Sequence, residues 1–206
     1  MKTAISILAA ALLTGCVTQP IKKDMSAFQA AAPRSILVVP TVNQSLDVDA
    51  PNYLLATLPV PLAEKGYYVF PVNTTKFILE QEGFYEGERI HQERPEVLSK
   101  LFGADAILYV TITRWDAQYA VVTTTVTVEF DYRMVSRDGT EIWSDRKRMQ
   151  YQPQNSSGGV LGMLISAAIA RAVPNYMPLA QQANQQVFVL GPNAVPDGPY
   201  RQPSVK

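Results

Sequence analysis

The feature that most restricts the fold of this 206-residue chain is an alternation of apolar and polar side chains over residues 119–135. Threonine and charged residues occupy the odd positions from 123 to 133, and most even positions carry apolar residues: Ala120, Val122, Val126, Val128, Phe130, Tyr132 and Met134. Because successive side chains of a strand point to opposite faces, this pattern predicts a long antiparallel strand with one solvated face. The Asp-Gly pair at 138–139 predicts a hairpin turn, with residues 140–151 as the returning strand.

Shorter apolar runs upstream predict three buried strands, at residues 36–40, 67–72 and 105–113. Helices are predicted over residues 52–65, 73–81 and 95–102. Pro59 and Pro61 lie inside the first, so it should be kinked or restarted there. Gly66 and Gly103 should end the helices that precede them. Residues 83–94 predict a polar loop, residues 160–173 an apolar helix, and residues 187–190 a last short strand.

The order of these elements predicts the α/β (α+β) class: a single-domain sandwich with a mixed sheet, a long antiparallel hairpin and helices packed on it. Hydrophobic residues make up 47% of the chain, which is enough for a substantial core. We expect the domain to cover residues 34–190 and residues 16–33 to form a tether. Residues 191–206 contain four prolines and no periodicity, and predict a disordered tail.

The amino terminus has the layout of a secretory signal peptide over residues 1–15. Lys2 is followed by a short apolar run and then by Leu-Thr-Gly-Cys at positions 13–16. The run is too short to span a bilayer. Leu-Thr-Gly-Cys resembles the lipobox of bacterial lipoproteins, which implies cleavage before Cys16 and its modification by diacylglycerol and a further acyl chain such as palmitate. Several acyl chains give stable membrane anchoring. Val17 stands where those lipoproteins carry an aspartate for inner-membrane retention, which implies sorting to the outer membrane.

Composition restricts the chemistry that remains. Lysine plus arginine equals aspartate plus glutamate, at 18 each, so nothing indicates a nucleic-acid partner. Cys16 is the only cysteine and His91 the only histidine, which excludes disulfides within one chain and multi-histidine zinc sites. His91 lies in a polar stretch and is predicted to be a solvated loop residue; a Ser-His-Asp site would have to use it. No cofactor and no metal ion is predicted.

Three further patterns have alternative interpretations. A set of carboxylates matches no calcium loop and is predicted to be solvated: Glu80, Glu82, Glu86, Glu88 and Glu93. The basic triplet at 146–148 predicts a solvated face, or a contact with anionic lipid or a partner. The threonine row of the long strand predicts ordinary β-surface, or pairing with another sheet edge.

Small residues recur four apart in the predicted helix at 160–173, at Gly158, Gly162, Ser166 and Ala170. Small side chains at this spacing let another element approach closely. The helix is therefore predicted to be buried on its own sheet or to be a docking helix for self-association or a partner. Membrane contact is a third alternative, although the run is too short to span a bilayer.

Three segments carry a family resemblance: residues 61–72 (PLAEKGYYVFPV), 103–109 (GADAILY) and 158–162 (GGVLG). They resemble a family of bacterial lipoproteins of unknown function, typified by a meningococcal vaccine-candidate lipoprotein, and the resemblance spans residues 10–190. It implies a fold similar to the amino-terminal domain of TolB. The family is often encoded beside a lipoprotein resembling CsgG, the curli secretion pore, which implies a role in envelope assembly or secretion. The family offers no catalytic residues to carry over.

These patterns together predict a non-enzymatic outer-membrane lipoprotein that faces the periplasm. It would act as an accessory or scaffold beside a CsgG-like partner, with self-association as a further expectation. The alternative is a periplasmic module that binds a peptide or glycan fragment in a pocket over the sheet. A hydrolase is the third hypothesis, and it requires a cleft that brings His91 or two loop carboxylates against a nucleophile.

Overall fold

The structure is a computed structural model that describes residues 23–119, 124–151 and 176–202. Its strands are β1 Ser35–Val38, β2 Val42–Asn43, β3 Tyr68–Val69, β4 Ala106–Tyr119, β5 Thr124–Ser136 and β6 Glu141–Tyr151. Its helices are α1 Ser26–Ala31, α2 Ala50–Thr57, α3 Pro59–Glu64, α4 Val72–Gln81, α5 Gly87–Gln92, α6 Pro95–Phe102 and α7 Met177–Gln185. A π-helical turn, Gln186–Leu190, follows α7 directly. Among these residues no helix is long and apolar enough to cross a bilayer.

The strands form one mixed sheet in the order β3-β1-β4-β5-β6, and β2 also pairs with β4. β1 is parallel to β3 and β4, whereas β4, β5 and β6 are antiparallel to one another. The sheet and the helices packed on it confirm the predicted α/β (α+β) class. The long strand predicted from residue 119 is wrong at its start, because Tyr119 ends β4 and pairs with Thr124. Alternation within residues 119–135 does not by itself show where one strand ends and the next begins.

The helical connections from β1 to β3 and from β3 to β4 run in opposite directions across the sheet and cover its opposite faces. The connection from β1 to β3 contains α2 and α3, and it packs with α1, α7 and the π-helical turn on one face. The connection from β3 to β4 contains α4, α5 and α6, which pack on the other face. Right-handed crossovers in opposite directions require this two-sided arrangement.

Local chemistry sets most helix ends. α2 ends at Thr57 and α3 begins at Pro59, which confirms the predicted restart. Gly66 and Gly103 have left-handed backbone, with φ of 89° and 72°, and Gly103 directly follows α6. The strand predicted at 187–190 is wrong, because α7 continues into the π-helical turn, whose Val187 and Phe188 are buried. Four apolar residues are too few for periodicity to separate strand from helix.

The segment predicted as a tether is part of the domain from Lys23 onward. The Lys23 amide donates to Asn193 Oδ1 at 3.1 Å, and Lys23 Nζ donates to Ser144 Oγ at 3.0 Å. Phe28 of α1 is buried in the core. A single aromatic anchor in a polar, alanine-rich stretch was too weak a pattern to predict this docking.

Residues 191–202, here called the C-terminal strap, pack along the domain, so the predicted disorder is wrong for this stretch. Val195 is 1% exposed, and Tyr67 Oη donates to the Pro196 carbonyl at 2.7 Å. The Gly198 amide donates to the Lys65 carbonyl at 2.7 Å. The prolines prevent a regular element, but they do not prevent an irregular chain from burying side chains and satisfying its polar groups.

A chain of buried hydrogen bonds joins β5, α7 and α2. Tyr132 Oη donates to Asn184 Oδ1 at 2.7 Å, and Asn184 Nδ2 donates to Thr57 Oγ1 at 2.8 Å. Thr57 Oγ1 in turn donates to the Leu54 carbonyl at 2.7 Å. Each hydroxyl and amide therefore has a partner, as buried polar groups require. We call this set the Tyr132–Asn184–Thr57 chain.

Candidate functional site

A crevice opens beyond the carboxyl end of β1, where the two helical connections diverge. Ligands of open α/β sheets bind at such a switch point, since helices on opposite faces leave a gap there. The volume of the crevice is about 470 Å³, within the range of small-molecule sites. Its floor is residues 40–43, one wall is the start of α2, and the other is formed by Lys76 of α4 and residues 85–88.

Helix α5 holds the floor in place. A Cβ at Gly87 would overlap the backbone carbonyl of Thr41, so only glycine lets the helix start so close to this segment. One turn later, His91 Nε2 donates to the Pro40 carbonyl at 3.0 Å. The two contacts fix the backbone on either side of the Pro40–Thr41 peptide.

His91 is partly buried, and the prediction of a solvated loop histidine is wrong. Its ring meets Tyr109 edge to face, with 5.0 Å between centroids. Burial lowers the pKa of His91 to about 4, and the positive charge of Arg133 adds to this, whereas the hydrogen bond to the Pro40 carbonyl opposes it. The ring is therefore neutral at pH 7. This polar stretch forms α5, which packs against the sheet through the buried side chain of Ile90.

Thr41 supplies the unusual group of the crevice. It is 5% exposed, it lines the crevice, and its Oγ1 has no hydrogen-bond partner among the described residues. Leaving a buried hydroxyl unpaired costs about 1–3 kcal/mol. No sequence pattern singled out this residue, because its isolation depends on the approach of α5 from a distant part of the chain.

The rim mixes charge, amide and aromatic groups. Lys76 Nζ lies 3.4 Å from Asn52 Oδ1, and the ring of Tyr85 is 74% exposed. Of the carboxylates noted in the sequence, Glu86 and Glu88 reach the crevice. Within the described ranges no three His, Cys, Asp or Glu side chains are grouped closely enough to hold a metal ion.

Other residues singled out in the sequence lie elsewhere. Arg146 pairs with Asp131, and Arg148 Nε lies 4.0 Å from Glu129 Oε2, so both arginines of the basic triplet lie on the solvated face of the hairpin. Thr127, predicted on the same face, is buried. The predicted lipidation site and the predicted partner-contact residues lie outside the described residues: Cys16, Gly158, Gly162, Ser166 and Ala170.

Comparison with known proteins agrees with the resemblance noted in the sequence. Residues 23–199 match the model of the family described as "Putative lipoprotein GNA1162-like". "Putative lipoprotein NMB1124/NMB1162" of Neisseria meningitidis serogroup B is 40% identical over 172 residues, which cover 82% of this chain and 80% of the relative. The crystal structure of lipoprotein GNA1162 from Neisseria meningitidis, also 40% identical, superposes with a TM-score of 0.59 and covers 68% of this chain and 98% of that one. This chain is therefore a member of the GNA1162-like lipoprotein family.

Proposed function

We propose that this protein is an outer-membrane lipoprotein that faces the periplasm and serves as a non-enzymatic scaffold in an envelope assembly or secretion system. Its family implies a membrane-anchored protein of the envelope. The membrane, the leaflet and the scaffold role are our inference. They are supported by the Leu-Thr-Gly-Cys sequence that ends at Cys16, by Val17 after it, and by the way the domain begins.

The observation that carries this proposal is the fixed position of Lys23. Its contacts with Ser144 and Asn193 attach the first described residue of the domain to β6 and the C-terminal strap. Six residues, 17–22, separate it from Cys16, and a fully extended backbone of this length spans ~25 Å. A lipid on Cys16 would therefore keep the domain at the membrane surface, with the β6 side nearer to the bilayer.

The solvated face of the hairpin is the partner surface that we favour. Part of this face of the sheet is covered by α4, α5 and α6, and Ile107 and Tyr109 of β4 lie in the apolar core beneath those helices. Farther along the hairpin, the same face carries the exposed ion pairs of Arg146 with Asp131 and Arg148 with Glu129. Exposed ion pairs contribute little to stability, so they can exchange their partners for those of another protein at low cost. The partner that the family resemblance implies is a CsgG-like lipoprotein.

Anchoring is tested by fatty-acid labelling of cells that express the wild-type protein or Cys16→Ser. We expect palmitate label in the outer-membrane fraction for the wild type, and neither label nor membrane association for the variant. Cys16→Ser protein that still takes up label, or that still fractionates with the outer membrane, would contradict the anchor.

The scaffold role is tested with a photo-crosslinking amino acid placed at residue 148 on the hairpin face. The matched control carries it at Lys100, an exposed residue of α6. We expect an adduct with a second envelope lipoprotein from position 148 and none from position 100. Only monomer from position 148, in cells where the same chemistry captures a known envelope complex, would contradict the proposal.

A further inference from the structure

We infer that the crevice beyond β1 is a binding site for a neutral saccharide. This inference goes beyond the scaffold role and does not depend on the anchor, because every group that it uses lies within the crevice. It is built on three features: the unpaired hydroxyl of Thr41, the mixture of charges at the rim, and the exposed ring of Tyr85.

The hydroxyl of Thr41 needs a partner that the described residues do not provide. Thr41 lines the floor of the crevice, and its backbone is held by Gly87 against its carbonyl and by the bond from His91 to Pro40. A buried hydroxyl is normally satisfied, and one without a partner on a residue that lines an open crevice can bond a ligand once the side chain turns toward it. A hydroxyl both donates and accepts, which is also true of the hydroxyl groups of a sugar.

The charges at the rim favour a neutral ligand. Glu86 and Glu88 supply two carboxylates against the single ammonium of Lys76, so an anion would meet a net negative lining. Asn52 adds an amide, which donates and accepts. A polyhydroxyl ligand uses carboxylates as acceptors and the ammonium as a donor at the same time, whereas an anion or a cation can use only part of this set.

The apolar surfaces are arranged for a ring rather than for an extended chain. Tyr85 presents an exposed aromatic face, and Pro40, Pro51 and Leu55 line the crevice beside the polar groups. The C–H face of a pyranose can pack on such a ring, while its hydroxyl groups reach the rim. An extended peptide would instead need a strand edge, and β2 has only two residues to offer.

The test uses the full lipidated chain in micelles of a detergent without a sugar headgroup. The probes are chitotriose and maltotriose, with trialanine and inorganic phosphate as competing chemistries, followed by saturation-transfer NMR and calorimetry. We expect saturable binding of at least one of the two saccharides. Binding of neither saccharide, or binding of trialanine or phosphate in preference to both, would overturn the inference.

Two variants locate the binding in the crevice. Tyr85→Ala removes an exposed ring and should weaken saccharide binding about tenfold, whereas Tyr68→Ala, a control at a tyrosine 51% exposed on β3, should leave it unchanged.

Thr41→Val should weaken binding by a similar factor while raising the Tm by about 2–4 °C, because the unpaired hydroxyl is gone. Unchanged affinity in Tyr85→Ala would place any binding elsewhere and contradict the assignment.

Discussion

On one side of the sheet, the side chains of Tyr132, Asn184 and Thr57 bond one another in series, whereas near the crevice the hydroxyl groups of Thr41 and Tyr109 are buried with no partner among the described residues. The first region uses its polar groups to hold three elements in one arrangement. In the second region, the hydroxyl groups of Thr41 and Tyr109 hold no elements together among the described residues. A buried polar group can thus specify the fold, or it can be kept at a cost in stability where a ligand is to be bound.

The largest effect is expected from Asn184→Ala, which removes the middle of the Tyr132–Asn184–Thr57 chain. Tyr132 Oη loses its acceptor in a fully buried site, so we expect unfolding to be easier by about 3 kcal/mol in denaturant titrations. The matched control is Gln185→Ala, the next residue, whose bond to Glu64 is exposed; its cost should stay within ~0.5 kcal/mol. Equal costs for the two variants would show that the buried bonds of Asn184 contribute no more to stability than one exposed bond.

A smaller effect is expected from the pH dependence of the crevice region. The pKa of His91 is about 4 in the folded protein, below its ordinary value near 6.5, so the unfolded chain binds the proton more readily. The contribution of His91 to stability is therefore complete above pH 6.5 and is lost as the pH falls toward 4. Between pH 7 and pH 5 this amounts to about 2 kcal/mol.

Urea unfolding at pH 7, 6 and 5 measures this loss, with His91→Gln as the comparison. Glutamine does not titrate, and its amide can still donate toward the Pro40 carbonyl. We expect the variant to lose about 2 kcal/mol less than the wild type over this interval, since other groups titrate alike in both. Parallel curves for the two proteins would show that His91 keeps an ordinary pKa.

The smallest and most direct test makes the same chemical change in both regions. Tyr132→Phe breaks a buried bond and leaves Asn184 short of a donor, so it should destabilise the protein by about 1.5 kcal/mol. Tyr109→Phe removes a hydroxyl that has no partner among the described residues, so the free energy of unfolding should be unchanged or slightly higher. A loss at Tyr109 as large as that at Tyr132 would show that its hydroxyl is bonded.

Local chemistry made some of the fold predictable. Helix α6 was predicted at its observed bounds, because Pro95 favours a first turn and Gly103 takes the left-handed conformation that ends a helix. The buried face of β5 followed from its period of two. In both cases the information lies within a few residues of the element that it describes.

Features that depend on distant contacts were missed. The polarity of residues 83–94 concealed that Ile90 and His91 pack on the sheet as part of α5. The C-terminal strap has no periodicity, and its order comes from contacts with residues 65–67. The crevice could not be predicted either. No sequence pattern marks Thr41, and its environment is set by the close packing of Gly87 against its carbonyl.

The C-terminal strap also has a kinetic consequence. The bond between Tyr67 and Pro196 closes a loop of 129 residues, and the bonds of Gly198 and Tyr200 to Lys65 and Gly66 close loops of similar length. Contacts so distant in sequence form slowly, since the entropy of closing the loop precedes any gain. The domain therefore cannot finish folding until residues near 200 are available. For a chain that we propose is carried across a membrane, the fold would be completed only after these last residues had passed through.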